Sequence, residues 1–433
     1  MATQAIETET AARGPDGASR GEATPPADPV TGMRYVARQP ILDLHSRVHG
    51  YELLFRNGPD LTFRGDGDLA TRTMLDNTVI FGLERLTGGL PAFVNCTLES
   101  LTDNLVNVLP ASMTVLEILE NLEPTPDLID ACRRLKASGF RLALDDFVWR
   151  PEIQPLVELA DYIKVDFAVN GAREREILLR QLRGATVALV AEKVETQTEF
   201  AGAVAEGFKL FQGYFFCRPV LMENRKVPVN RLSQIEILRE LRTDSIDIPR
   251  LSQLVKRDAS LTYRLLRLIN SPVCAMRQEV RSIEAALIVV GEETFRRMAT
   301  LAITSELNSG GPHELLRMAF VRARFCELAA GLCAADATEQ YLVGLLSLLP
   351  AMLRLPMEEL TPALPLREEI RLALLGAPIR ERCLLEWVIS HEYGKWTACD
   401  EIAREHGLSG ADAVRFYGEA VLWAEAALHF VTY

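Results

Sequence analysis

Residues Leu142–Phe147 read Leu-Ala-Leu-Asp-Asp-Phe, an apolar run that ends in two adjacent carboxylates, Asp145 and Asp146. Two acidic groups at the mouth of a buried strand repel each other and lose hydration, so such a pair persists most easily when cations share it. Paired carboxylates are common ligands of Mg²⁺ and Mn²⁺, which favour oxygen donors. The plainer alternative is a helix cap at a strand exit. The company the pair keeps bears on the choice. Glu52 lies in an earlier β-rich run, Asn95 closes a second and Glu117 is near the end of a third. Lys164 is near the end of a fifth run, Glu192 follows a sixth and Gln212 follows a seventh. The period of two along a strand also puts Glu52, Leu54 and Arg56 on one face, so the acid and the guanidinium can share one mouth.

The elements that must position these residues alternate. The sequence predicts strands at Val48–Phe55, Ala92–Asn95, Thr114–Ile118, Arg141–Leu144, Tyr162–Val165, Ala185–Val190 and Lys209–Phe211. Helical patterns lie between them at Leu69–Leu86, Pro126–Ser138, Ala172–Leu182 and Thr196–Glu206. Repeated β–α alternation predicts a parallel sheet, most economically a (β/α) barrel whose strand ends converge on one mouth. A doubly wound open sheet is the alternative, but no G-x-G-x-x-G follows the first strand. Beyond Pro219 the β texture disappears. Leu221–Pro228, within 221–231, reads as a linker, and 232–433 reads as an all-α domain of about eight to ten helices, with Asp247 and Ser282 as N-caps.

Bulk properties set limits. A chain of 433 residues that is 48% hydrophobic can bury two domains, here 33–220 and 232–433. A formal charge of −12 argues against an extended nucleic-acid surface. Residues 1–32 are rich in Ala, Thr, Gly, Pro and Glu without a hydrophobic period, which predicts a disordered tail and no secretory signal. The longest apolar run, Val343–Leu349, is too short to span a bilayer. None of the eight cysteines forms a C-x-x-C pair, and their apolar settings read as reduced core thiols in a cytoplasmic protein.

The ordered set in 35–219 resembles the EAL domain, a barrel that hydrolyses the bacterial second messenger cyclic di-GMP. Gln39-Pro40-Ile41 is similar to its entry motif, and Glu52-Leu53-Leu54-Phe55-Arg56 to its E-x-L-x-R signature. Val94-Asn95 and Leu116-Glu117-Ile118-Leu119-Glu120 resemble its asparagine ligand and its E-x-T-E segment, with Leu119 in place of Thr. Leu144-Asp145-Asp146-Phe147 is similar to its twin-Asp motif and Ile163-Lys164-Val165-Asp166 to its K-x-D. Ala191-Glu192-Lys193-Val194-Glu195 resembles A-E-G-V-E, and Gln212-Gly213-Tyr214 resembles Q-G-Y.

The resemblance implies that Glu52, Asn95, Glu117, Asp145 and Asp146 hold two Mg²⁺ or Mn²⁺ ions, with Glu192 nearby. It implies that Lys164 orients water or stabilises developing charge, that Arg56 grips a phosphate and that Gln212 meets a guanine edge. Two departures stand out. The family's Gly-rich continuation after the twin Asp is replaced by Val148-Trp149-Arg150-Pro151, which is shorter and stiffer. Lys193 stands in place of a Gly, either as a rim ion-pair partner of Glu192 or Glu195 or as a stand-in for one metal charge.

The second domain resembles HDOD, a helical relative of the HD phosphohydrolases. Asp258-Ala259-Ser260-Leu261-Thr262, Leu265–Pro272 and Ser282–Ala286 carry the likeness. Where an HD enzyme presents His-Asp, this chain has Ser347-Leu348, so the usual metal site is missing. The combined order implies a cytoplasmic signalling protein, with cyclic di-GMP, a protein docked on HDOD and a second copy of the chain as the expected partners. Two functions remain open on the sequence. One is a metal-dependent phosphodiesterase that opens cyclic di-GMP to the linear dinucleotide. The other is an inactive regulator that binds cyclic di-GMP or a protein.

Overall fold

The computed structural model describes residues 34–57, 83–217, 234, 236–238, 240–241, 247–274, 280–308, 311–364 and 366–432. The expected tail, the linker, most of the Leu69–Leu86 helix and the side chain of Arg56 lie outside the described residues. Eight strands close a barrel in sequence order: β1 Arg34–Asp43, β2 Val48–Asn57, β3 Ala92–Cys96, β4 Thr114–Ile118, β5 Arg141–Leu144, β6 Tyr162–Asp166, β7 Ala188–Glu192 and β8 Leu210–Gln212. Strands β2 to β8 pair in parallel, whereas β1 runs antiparallel to both β2 and β8. The barrel is therefore correct and the open sheet is excluded.

The structure corrects two details of the strand pattern. Strand β1 is absent from the sequence expectation, because Pro40 interrupts the run and Pro reads as a strand breaker. Here Pro40 pairs in register with Tyr51 while its neighbours carry the ladder. The last two strands begin later than the β-rich texture suggests, and they end on Glu192 and Gln212 rather than before them. Both polar residues thus belong to strands, where backbone pairing fixes their direction.

The lumen is layered. Ile41, Phe93, Val115, Ala143, Tyr162, Val190 and Leu210 form one buried apolar cluster, a floor built from seven strands. Strand β2 contributes Gly50 at this level, where a Cβ would stand 2.7 Å from Pro91 O and 3.0 Å from the Phe93 ring. Glycine there lets the Phe93 ring fill the barrel.

The C-terminal half is all-α, with twelve α-helical segments between Ile248 and Thr432 among the described residues. This exceeds the expected eight to ten, and two of the segments, Leu349–Leu353 and Met357–Leu360, are single turns that a periodicity argument cannot resolve. Asp247 and Ser282 do cap their helices, accepting from Arg250 N at 3.0 Å and Ala285 N at 3.1 Å. The helices Ala337–Leu346 and His313–Ala329 approach so closely that a Cβ on Gly344 would collide with Arg322 O. Among the described residues no helix is long and apolar enough to cross a membrane. All eight cysteines are free thiols, six of them buried.

Barrel and helices form one unit over Met33–Tyr433. Tyr51 of β2 donates its hydroxyl to Glu314 Oε2 at 2.7 Å, and Arg38 of β1 pairs with Glu425 at 3.2 Å. The turn after helix Cys383–Glu392 rests on the barrel rim. There the Tyr214 hydroxyl donates to Glu392 O at 2.6 Å, the Tyr214 and Tyr393 rings stack at 3.7 Å, and Gly394 packs on Leu54 so closely that a Cβ would stand 2.8 Å from it.

Candidate functional site

Two residues beyond the apolar floor, the strands turn polar side chains into the same lumen. Residues Phe93, Val115, Ala143, Tyr162, Val190 and Leu210 are followed at the period of two by Asn95, Glu117, Asp145, Lys164, Glu192 and Gln212. Gly50 is followed by Glu52, and on antiparallel β1 the residue two before Ile41 is Gln39, which pairs in register with Glu52. One pleat of the barrel is thus an apolar plug and the next is a ring of polar groups.

Lys164 is the hub of that ring. Its Nζ lies 2.7 Å from Glu117 Oε1, 2.8 Å from Asp145 Oδ1, 2.8 Å from Glu192 Oε1 and 3.1 Å from Glu52 Oε2. Its side chain is 1% exposed. Gln212 Nε2 donates to Glu52 Oε2 at 2.6 Å and to Gln39 Oε1 at 3.0 Å, and Asn95 Nδ2 donates to Glu52 Oε1 at 3.2 Å. The Gln212 amide nitrogen therefore faces Glu52 and Gln39.

The acids outnumber the cations. Burial, followed by the neighbouring Glu52, holds the Glu117 carboxyl well above the usual carboxylate range. Burial also pushes Glu192 up to about 8 and raises Asp145, in both cases against the pull of Lys164. Burial acts on Glu52 too, but Lys164 and the hydrogen bonds from Gln212 and Asn95 win there and hold it low. Burial disfavours the Lys164 ammonium, yet the surrounding carboxylates hold its pKa well above the usual range. Glu117 Oε2, Asn95 Oδ1, Gln212 Oε1 and Asp146 Oδ1 are buried without a hydrogen-bond partner. Buried acceptors are normally satisfied, so this surplus of oxygens marks a place for cations or protons.

Asp145 and Asp146 are not a cap. The following turn, Pro151–Ile153, has Arg150 at its N-cap with no side-chain capping bond. Asp145 points to Lys164, while Asp146, at φ 39°, turns away to within 3.9 Å of Lys193 Nζ. Lys193 reaches beyond the neighbours Glu192 and Glu195 named on the sequence. It ion-pairs with Asp166, whose side chain is 5% exposed. Glu195 is exposed, and its backbone N–H donates to Glu199 at 2.8 Å. Asp166 is a site residue to which the sequence assigns no role; the signal for it is its place two residues after Lys164.

The residues after the twin Asp wall a cavity of about 230 Å³ beside Asp145, lined among others by Leu119, Leu122, Phe147, Val148 and Arg150. Arg150 is held by Glu123 at 3.3 Å and by Glu120 O at 3.4 Å. In the helical half, Arg322 makes a forked, buried pair with Glu392, with N–O distances of 2.5 to 3.1 Å, and donates to Ser347 Oγ at 3.2 Å. Ser347 thus anchors an arginine. Sequence reasoning misses this pair, because its two partners lie seventy positions apart.

As to metals, no three Asp, Glu, His or Cys side chains stand in ligand geometry among the described residues. The reason is visible in the distances, since four carboxylates each turn an oxygen onto the Lys164 ammonium. The donor chemistry nevertheless fits a hard divalent cation: every candidate ligand is an oxygen, and Glu117, Asn95 and Asp146 keep acceptors without a hydrogen-bond partner.

An eight-strand barrel with an acidic, lysine-centred mouth, joined to an all-α domain without a His-Asp pair, defines the class. The EAL domain matches residues 95–219 and the HDOD domain matches residues 229–360. Bacillus subtilis YuxH is 34% identical over 90% of this chain and 97% of its own length. A Vibrio cholerae protein named as the cyclic di-GMP phosphodiesterase CdgJ is 33% identical over 90% of this chain and 92% of its own. The chain belongs to the family of proteins that join an EAL domain to an HDOD domain. Among solved structures, the calcium and cyclic di-GMP complex of Klebsiella pneumoniae BlrP1 is similar at 24% identity with a TM-score of 0.36, covering 43% of this chain and 55% of that one. The EAL domain of Mycobacterium smegmatis DcpA is similar at 19% identity with a TM-score of 0.34, covering 42% of this chain and 90% of that one.

Proposed function

We propose that this chain is a cyclic di-GMP signalling protein whose barrel hydrolyses the messenger to its linear dinucleotide in the presence of Mg²⁺ or Mn²⁺. The observation that carries the reading is the ring of Glu52, Asn95, Glu117, Asp145 and Glu192 around Lys164, with buried acceptors left unpartnered. The 33% identity to the phosphodiesterase named above, over 90% of the chain, supports it. Divalent ions bound there would supply charge neutralisation and an activated water for attack on a phosphodiester.

The chain's own residues do the rest. Glu52, Asn95, Glu117 and Asp145 would hold the metal, with Asp146 beside them at the rim. Gln212 and Asn95 orient Glu52 through their amide donors. Lys164, freed from part of its carboxylate shell, would present a cation to the developing negative charge. Glu192, 2.8 Å from the Lys164 ammonium, would hold that cation in place beside the reacting phosphodiester. Arg56, four residues after Glu52 on β2, would meet a substrate phosphate.

A second reading, a regulator that binds cyclic di-GMP without turnover, is favoured by one observation: Lys193, in place of the family's Gly, reaches Asp146 and Asp166. The test is cyclic di-GMP binding and hydrolysis by the purified chain with Mg²⁺ or Mn²⁺, beside Glu52→Ala and Asp145→Ala. The expected result is linear dinucleotide from the parent and a loss of about 10²-fold or more in each variant. Binding without product supports the regulator, and no binding by the parent rejects both.

A further inference from the structure

Lys193 is the residue that neither the barrel fold nor the ring around Lys164 explains. It follows β7 at φ 53°, a left-handed conformation that glycine adopts freely and that a side-chain-bearing residue adopts at a cost. Asp146, which faces it, is left-handed too, at φ 39°. Two such residues opposite each other at one rim are held there by their surroundings. Asp166 supplies the post: its Oδ1 accepts from the N–H groups of Ala168 at 2.6 Å and Val169 at 3.3 Å, which leaves Oδ2 for the Lys193 ammonium. The same ammonium lies 3.9 Å from Asp146 Oδ1, an atom that is buried and has no hydrogen-bond partner.

We propose that Lys193 is a resident cation at the Asp146 side of the mouth, so that this barrel takes one divalent ion, on Glu52, Asn95, Glu117 and Asp145, instead of two. The inference rests on the mouth being a metal centre, as proposed above. The ammonium lies between Asp146 and Asp166, where an ion drawing on both would have to sit, and it would repel any second divalent cation there. Like charge at this distance disfavours a second cation even though the Lys193 side chain is 56% exposed. The left-handed backbone of Lys193 is the cost of placing that charge.

The experiment is Mn²⁺ titration of the full chain with calorimetry and electron paramagnetic resonance, for the parent, Lys193→Met and Lys193→Gly. Met keeps a side chain on the left-handed residue while removing the charge, and Gly removes both, so agreement between them assigns the effect to charge. The expected result is one bound ion with a mononuclear spectrum in the parent. Each variant should bind a second ion and give an exchange-coupled spectrum. Two ions in the parent, or one in all three proteins, overturns the inference while leaving the metal centre standing. No bound ion in any of them overturns the metal centre and this inference with it.

Discussion

The barrel mouth and the core of the helical half both hide charge from water, but they balance it differently. In the mouth four carboxylates converge on Lys164, and acceptors of Glu117 and Asn95 are left over. In the helical half Arg322 meets Glu392 one to one, fork to fork, and its remaining donor finds Ser347 Oγ. A balanced buried pair asks for nothing further and serves to lock its elements together. An unbalanced cluster is stable only with protons or added cations, which is the condition of a site rather than a strut. The comparison also shows what replaced the missing His-Asp chemistry: Ser347 gives the domain a hydrogen-bonded arginine.

The sharpest way to break this contrast is to remove each central cation. Arg322→Met strands the buried Glu392 and should cost about 3–5 kcal/mol in urea unfolding, with or without Mn²⁺. Lys164→Met should cost a similar amount, about 3–5 kcal/mol, in metal-free protein. Mn²⁺ should restore much of that loss, because a divalent ion can take over the four carboxylates. If Mn²⁺ rescued Arg322→Met equally, or Lys164→Met not at all, the distinction between strut and site would fail.

Acidity gives the next largest effect. Glu192 is raised from its ordinary 4.5 to about 8, so between these values the folded chain holds a proton that the unfolded chain has released. Folding then takes up a proton, and stability falls as pH rises through that window, by roughly 1.4 kcal/mol for each pH unit crossed and a few kcal/mol at most. Thermal unfolding of metal-free protein between about pH 5 and 8 should show the decline, and Glu192→Gln or added Mn²⁺ should flatten it. A pH-independent midpoint in the metal-free parent would contradict the crowded mouth.

Packing comes next. Gly344→Ala drives a methyl against Arg322 O and should destabilise the helical half by about 1–3 kcal/mol without changing cyclic di-GMP binding. Unchanged stability would mean that the two helices are free to separate. The smallest effect is expected at the contact between the two regions. Tyr214→Phe removes a buried hydrogen bond to Glu392 O and should cost about 1 kcal/mol in denaturant unfolding.

Much of this molecule is legible in the sequence. The twin Asp, Glu52, Asn95, Glu117, Lys164, Glu192 and Gln212 stand out as strand-end residues, and the structure brings all of them except Asp146 into one hydrogen-bonded ring. Asp146 diverges because a left-handed backbone reverses its direction, and φ cannot be read from residue type when the residue is not glycine. Strand β1 is hidden by Pro40, and Glu392 and Arg322 are hidden by distance along the chain.

Residue identity and period determined by themselves that apolar and polar layers alternate inside the barrel. A step of two along each strand takes Phe93 to Asn95, Val115 to Glu117 and Tyr162 to Lys164, whatever the rest of the chain does. Only the tertiary structure decided which charges meet. The ammonium of Lys164 is shared among four carboxylates from different parts of the barrel, Lys193 reaches Asp166 and Asp146, and Glu392 turns its carboxylate to Arg322 and its carbonyl to the barrel. The physical reason is that periodicity is a local property of the backbone. Electrostatic partnership depends on distances of a few ångströms, which closure of the barrel and docking of the helices create between residues far apart in the chain.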